Sequence, residues 1–396
     1  MEKKTDEIDV LAAAYLYGQQ QTQVAIGQTL GLSQSVVSRL IKKAENQRLL
    51  ETKTTFVGHV SEEDWKRVQA RIRPARLQEM LSRMSRNSPE QPVPVVHIYP
   101  SNSTLTSVAA WRHRIDEFSK ACAMDVLGVL EKASVIGVSW GDMVASSIAA
   151  IGKAPIDRRA ANQHVRTIVP LLGEPLGSSI TQHSSSVLAA RLEEALYPDL
   201  ESGREHRLSL APVPALIPAD MTELEIGAIK NLISRISAYR EIFGKDGGGS
   251  TGENESTPLI HRIDAVLTSL STQERALSFS DDSLIRAAGV SRDKLNDLVI
   301  GDLCGALIER PNLNDQARTD VANILARWTG VTIAQLKDCA VRAKSGAPGI
   351  VVLAIGANKA PVVHAAVRSG LVQHLFTDQD LANRLEQICD VSTSTT

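Results

Sequence analysis

Two groups of residues carry chemistry by their type and spacing. In the first, Gln34, Ser35, Ser38, Arg39 and Lys42 recur in alternating steps of one and three, which gathers side chains on one face of a helix. Val37, Leu40 and Ile41 fall on the other face. An amide can pair with an adenine edge, a guanidinium with a guanine edge, and a hydroxyl with either a base or a phosphate. That is the chemistry of contact with a DNA duplex. A helix entering the major groove meets base edges through its N-terminal half, so Gln34, Ser35, Val36, Ser38 and Arg39 are the readout candidates. Lys42 and Lys43 are placed to hold phosphate, which sets register without reading sequence.

The second group consists of turns between predicted strands and helices. Gly137-Val138-Ser139-Trp140-Gly141-Asp142 leaves a buried strand and opens a helix. Backbone amides and the helix dipole at such a place favour an anion or an oxygen-rich ligand. Gly356-Ala357-Asn358-Lys359 forms a second such turn, and Lys359 can add a positive charge. Gly177, Ser178, Ser179 and Ser185 lie ahead of or at the start of a helix and offer hydroxyls. Asp302 and Ser269 complete the candidate ligand set.

The elements that must position these groups follow from local pattern. Residues 6–17 read as a helix. Thr22 can cap a second helix, and Ser33 a third running to about Gln47. Gly31 permits the turn between them, Leu32 is expected to bury there, and Ala25 is small where the helices cross. Residues 54–60 are β-branched and aromatic enough for a short strand, and Ser61-Glu62-Glu63-Asp64 opens a basic helix to about Met84. The prolines at 89, 92 and 94 mark a linker. Three segments result: residues 1–60, a basic helix and linker over 61–94, and a large part over 95–390.

Beyond the linker, strands and helices alternate. Strands are expected at Val95–Tyr99, Ala133–Val138, Val165–Leu172, Arg207–Val213, Ile263–Leu267, Gly349–Ile355 and His374–Phe376. Helices are expected over 104–131, Ser139–Gly152, Ser185–Leu196, Lys359–Ser369 and Asp378–Gln387. This alternation predicts an α/β domain with a mostly parallel sheet. Gly244–Pro258 is a Gly/Ser-rich loop, and residues 392–396 read as a tail.

Composition narrows the function classes. The chain has 396 residues, 43% of them hydrophobic, enough for more than one core. No uncharged apolar run reaches membrane-spanning length. The charged start is unlike a secretory signal, so a cytoplasmic location is expected. Four cysteines lie far apart without a C-x-x-C pair, so neither a zinc site nor a disulfide framework is expected and a reducing cytoplasm fits; no bound metal or cofactor is expected. Net charge is −2, but basic residues concentrate in the first quarter of the chain, at Arg39, Lys42, Lys43, Arg48 and Lys53 and again from Lys66 to Arg86.

Several stretches together resemble the SorC/DeoR-type family of bacterial sugar-responsive transcriptional regulators. They are Val36–Ala44, Ile136–Gly141, Ile168–Gly173, Gly301-Asp302, Ile350–Lys359 and Leu375–Asp378, in that order, spanning roughly residues 5 to 388. The resemblance implies an N-terminal winged helix-turn-helix domain and an effector domain like that of sugar-phosphate isomerases and deaminases. It also implies homo-oligomers (dimers or tetramers) and control of operator binding, most often repression, by a sugar, polyol or sugar phosphate. Paired subunits then predict palindromic half-sites. One departure stands out. After Ile263–Leu267 the family has a Gly-x-Gly loop, whereas this chain has Ser269 and Ser271, which offer hydroxyls in place of close backbone approach.

Two other readings stay open at this level. One is a sugar-phosphate isomerase or deaminase with an accessory helical domain, using carboxylates such as Asp142, Asp302 or Asp378. The other is an interaction module whose N-terminal helices contact protein.

Overall fold

The structure is a computed structural model that describes residues 7–50, 60–85, 93–100, 108–154, 166–174, 183–197, 208–244, 257–272 and 282–393. The chain forms two compact units, Met1–Met80 and Leu81–Thr396.

The first unit is built on α1 (Glu7–Gly18), α2 (Gln23–Leu30), α3 (Gln34–Asn46) and most of α4 (Glu62–Ser85). Thr22 caps α2 by accepting the Ala25 amide at 3.3 Å. Gly31 ends α2 in the left-handed region at φ +66°, where glycine carries no Cβ penalty. The close approach between α2 and the following turn falls at Gly27 rather than at Ala25. A Cβ on Gly27 would lie 2.7 Å from the Leu32 carbonyl oxygen. Ala25 and Leu32 are both only half-buried. Val10, Leu16, Ile26, Leu30, Val37, Leu40, Ile41, Val68 and Ile72 close the core. Arg71, read from sequence as part of a basic cluster, donates from α4 to the Leu30 carbonyl at 2.9 Å, so it closes the C-terminal end of α2. Of the expected strand over 54–60, residues 54–59 lie outside the described residues.

The second unit is an α/β fold. β1 (Val95–Tyr99), β2 (Val135–Val138), β3 (Thr167–Pro170), β4 (Ala265–Thr272), β7 (Gly349–Ala354) and β8 (His374–Asp378) form a parallel sheet in the order β1-β8-β7-β4-β2-β3. β2 and β7 carry no polar side chain and every residue of both is buried, as a parallel sheet covered on both faces requires. α5 (Val108–Leu130), α6 (Asp142–Lys153) and α7 (Ser185–Leu196) bury Phe118, Ile148 and Leu188 against Ile136, Leu267, Val351 and Phe376. The alternate strand residues face away from that cluster. There α13 (Ile333–Arg342) packs on β7 and α14 (Ala360–Arg368) on β4. α15 (Gln379–Thr393) follows β8.

Two expectations change. Residues 268–272 are strand and not loop, because β5 (Val299–Leu303) pairs antiparallel with Leu270–Thr272 and extends the ladder; β6 (Ala306–Glu309) completes a hairpin with β5. Arg207–Val213 contains no strand within its described part, 208–213. Pro212 and Pro214 lack amide donors, and the chain there makes a single bridge, Glu174 to Pro214. Between β3 and β4 the unit adds α8 (Glu223–Ser234) and α9 (Ser237–Phe243), and beyond β4 the short α10 (Asp282–Ala288) and α11 (Arg292–Leu298), then α12 (Asp315–Leu325) after β6.

Candidate functional site

Within the first unit, α3 divides cleanly into two faces. Val37, Leu40, Ile41 and Ala44 are buried. Gln34, Ser35, Ser38, Arg39, Lys42 and Lys43 are exposed, and Val36 is half-buried between them. Ser33 stands at the N-cap without making a side-chain cap bond, and its hydroxyl lies 3.0 Å from that of Ser35. The α3 N-terminus therefore keeps amides open toward solvent, where phosphate oxygens are favoured. No acidic residue sits in its first turn.

Within the second unit, the parallel strands bring their C-terminal ends to one edge, the place where α/β sheets hold ligands. After β2, Ser139 is fully buried and its amide donates to the Leu267 carbonyl at 3.1 Å. Trp140 is 7% exposed, and its indole Nε1 has no acceptor among the described residues. Gly141 adopts φ +113°, its amide donates to the His183 carbonyl at 3.2 Å, and a Cβ there would come within 3.8 Å of the Ser269 hydroxyl. Asp142 opens α6, and its Oδ1 lies 2.6 Å from Nδ1 of His183.

The second turn is tied down in the same way. Gly356 adopts φ +90° and its amide donates to Asp378 at 3.1 Å. Asp378 also accepts the Leu381 amide at 3.0 Å and the Arg114 guanidinium, whose Nε lies at 3.1 Å. Arg114 reaches Asp380 as well, at 2.5 Å. Asn358 donates to Thr272 at 3.5 Å. The Lys359 amide donates to the Gly356 carbonyl at 3.1 Å, while its ammonium makes no hydrogen bond or ion pair among the described residues. Burial pushes its ammonium down to about 8, while the charges of Asp302 and Asp378 work in the opposite direction.

Asp302 is buried and engaged. The Ser271 hydroxyl donates to one of its oxygens and the Gly305 amide to the other at 3.1 Å. Gly305 and Cys304 form the hairpin turn at φ +69° and +53°, the left-handed pair that a two-residue turn of this hand needs. The Cys304 thiol donates to Thr268 at 3.1 Å. Beyond the turn, Trp328 meets Trp140 edge to face at 6.0 Å and 84°.

The sequence-predicted residues thus divide. Ser139–Asp142, Ser269, Asp302 and Gly356–Lys359 gather at one sheet edge. Gly137 lies inside β2, where a Cβ would press on Leu171 at 2.9 Å, a packing requirement. Ser185 is buried and bridges two strand ends, donating to the Val138 carbonyl at 2.6 Å and accepting the Leu171 amide at 2.8 Å. Gly177, Ser178 and Ser179 lie outside the described residues. The candidate ligand set omitted His183 and Arg114, and Asp378 entered only as a possible catalytic carboxylate. Asp378 carries a readable signal, a carboxylate closing the Leu-Phe-Thr-Asp run, whereas His183 and Arg114 reach their partners across 41 and 264 residues.

Chemically, the edge has already committed the Gly141 and Gly356 amides to protein acceptors. The groups left open are donors: the Lys359 ammonium, the Trp140 indole N–H and the Ser269 hydroxyl. They suit a small ligand rich in oxygen acceptors. Among the described residues no group of three potential metal ligands comes together.

No family model and no curated protein matches the chain. Solved structures do. The full-length sorbitol operon regulator SorC from Klebsiella pneumoniae is 19% identical, with a TM-score of 0.54, over 97% of this chain and 100% of that one. A DeoR family transcriptional regulator from Listeria monocytogenes is 15% identical, with a TM-score of 0.52, over 79% of this chain and 99% of that one. A transcriptional regulator from Streptococcus pneumoniae is 13% identical, with a TM-score of 0.50, over 81% and 98%. At such identities the likeness is one of fold, and in the first case it runs through both units.

Proposed function

We propose that this chain is a SorC/DeoR-type transcriptional regulator whose operator binding is controlled by a small oxygen-rich metabolite of the sugar class. The observation that carries the reading is α3, with a buried apolar face and an opposite, solvent-exposed face of Gln34, Ser35, Ser38, Arg39, Lys42 and Lys43. α2 and α3 act as the helix-turn-helix, with α3 in the major groove. The fold likeness to regulators over nearly the whole chain supports the same assignment.

The sheet edge of the second unit is the effector site, and Lys359, Ser269 and Trp140 donate to the effector. Sugars and polyols match these donors without needing a phosphate cradle, since the Gly141 and Gly356 amides are taken. A sensing role is favoured over catalysis because Asp302 and Asp378, the carboxylates an isomerase would use as base or acid, are held by several donors each. Effector binding shifts the balance between two subunit arrangements and so changes the spacing of paired reading helices. A repressor in the cytoplasm, working as a homo-oligomer on palindromic half-sites, fits this scheme.

The test is direct. Purified full-length protein is mixed with DNA flanking its own gene at low and moderate salt, with and without a panel of sugars, polyols and their phosphates. Salt-sensitive binding that one class of sugar alters is expected. Indifference to every fragment at low salt overturns the proposal.

A further inference from the structure

The second unit holds a cleft of about 490 Å³ between α8, α9 and the chain at 328–332, within the range of small-molecule sites. Its floor is aromatic: Tyr239 and Phe243 from α9, with ring centroids 4.9 Å apart, and Trp328. Phe243 is 1% exposed and Trp328 8%. The polar lining residues include Lys230 and Thr332, and among the described lining residues there is one cation and no carboxylate. The Tyr239 hydroxyl makes no hydrogen bond to a described residue, although burial raises its pKa. The hydroxyl is therefore available to a ligand in the cleft that Tyr239 lines. Nothing in the proposed sensing role uses this cleft.

We infer that the cleft beneath α8 is a second small-molecule site, taking a flat aromatic acid. Aromatic walls favour a flat apolar body. Lys230 at the rim receives the acid group, and Tyr239 can donate to it or to a ring substituent. Trp328 also meets Trp140 edge to face, and its Cζ2 lies 2.3 Å from where a Gly305 Cβ would stand, so a ligand on Trp328 bears on the sheet edge without sharing its donors.

The experiment uses the full chain and 2-naphthoate as probe, followed by tryptophan quenching and calorimetry. Saturable binding is expected, with the neutral 2-naphthalenemethanol binding more weakly. Lys230→Glu, at an exposed position, should weaken 2-naphthoate about fivefold. Asn231→Trp, also exposed at the rim, should abolish binding by filling the mouth while leaving circular dichroism and DNA binding unchanged. No saturable binding in the millimolar range, or equal binding by the wild type and Asn231→Trp, overturns the inference. So does sedimentation showing that a second copy covers α8 and excludes the probe.

Discussion

The amide of Gly356, at the end of β7, donates to the carboxylate of Asp378, at the end of β8, at 3.1 Å. The carboxylate also accepts from Leu381 and Arg114. One side chain thereby fixes a turn, the start of α15 and a guanidinium. Asp378→Ala leaves buried donors unmatched and should cost about 3–5 kcal/mol. Asp378→Asn keeps an acceptor and should cost about 1–2 kcal/mol. Urea unfolding checks both, and equal losses would show that the charge, and not the acceptor, matters.

Gly305 has no tolerance for a side chain. Its φ is +69°, and a Cβ would lie 2.3 Å from the Trp328 ring. Gly305→Ala should destabilise the second unit by about 2–4 kcal/mol and shift tryptophan fluorescence as the ring moves. An unchanged melting temperature would contradict this packing.

Lys359 gives the protein a signature in alkaline solution. Its pKa is about 8 when folded and about 10.4 when unfolded. Between these values the unfolded chain holds the extra proton, so the Lys359 contribution to stability rises with pH through that window and is flat below it. Lys359→Met should remove the rise from the pH dependence of thermal unfolding. A wild-type curve and a mutant curve of the same slope from pH 8 to 10 would exclude the buried-amine description.

The exposed cations of α3 predict a salt effect. Arg39→Ala combined with Lys42→Ala should weaken DNA binding and reduce the slope of log affinity against log salt by about 1.8, if each neutralises one phosphate. Filter binding at several salt concentrations measures it. An unchanged slope would place the duplex elsewhere.

Sequence legibility followed the range of the interaction concerned. The Thr22 cap and the two faces of α3 are set within a turn or two of helix, and the local pattern exposes them. The apolar runs of β2 and β7 are as readable, because burial on both faces removes polar residues altogether. The capping box at Thr222 and Glu225 was also available in the T-x-x-E spacing, though the start of α8 was not read from it. The β5–β6 hairpin escaped because its turn is Cys304-Gly305 and not the more familiar Asn-Gly. The end of β4 escaped because its ladder partner, β5, lies some thirty residues further on. At the sheet edge, the turns carrying Gly141 and Gly356 suggested open amides. The acceptors that fill them, the His183 carbonyl and Asp378, come from distant segments and became visible only in three dimensions.

All four cysteines are buried, and burial raises their thiols to about 12 at Cys122, Cys304 and Cys339 and about 11 at Cys389. Thiolate is the reactive form, so at neutral pH the native chain should be nearly silent toward maleimides. A cysteine introduced at Gln34 or Leu232, both on the surface, would then carry a fluorophore to one chosen spot, with no need to strip out the natural thiols first.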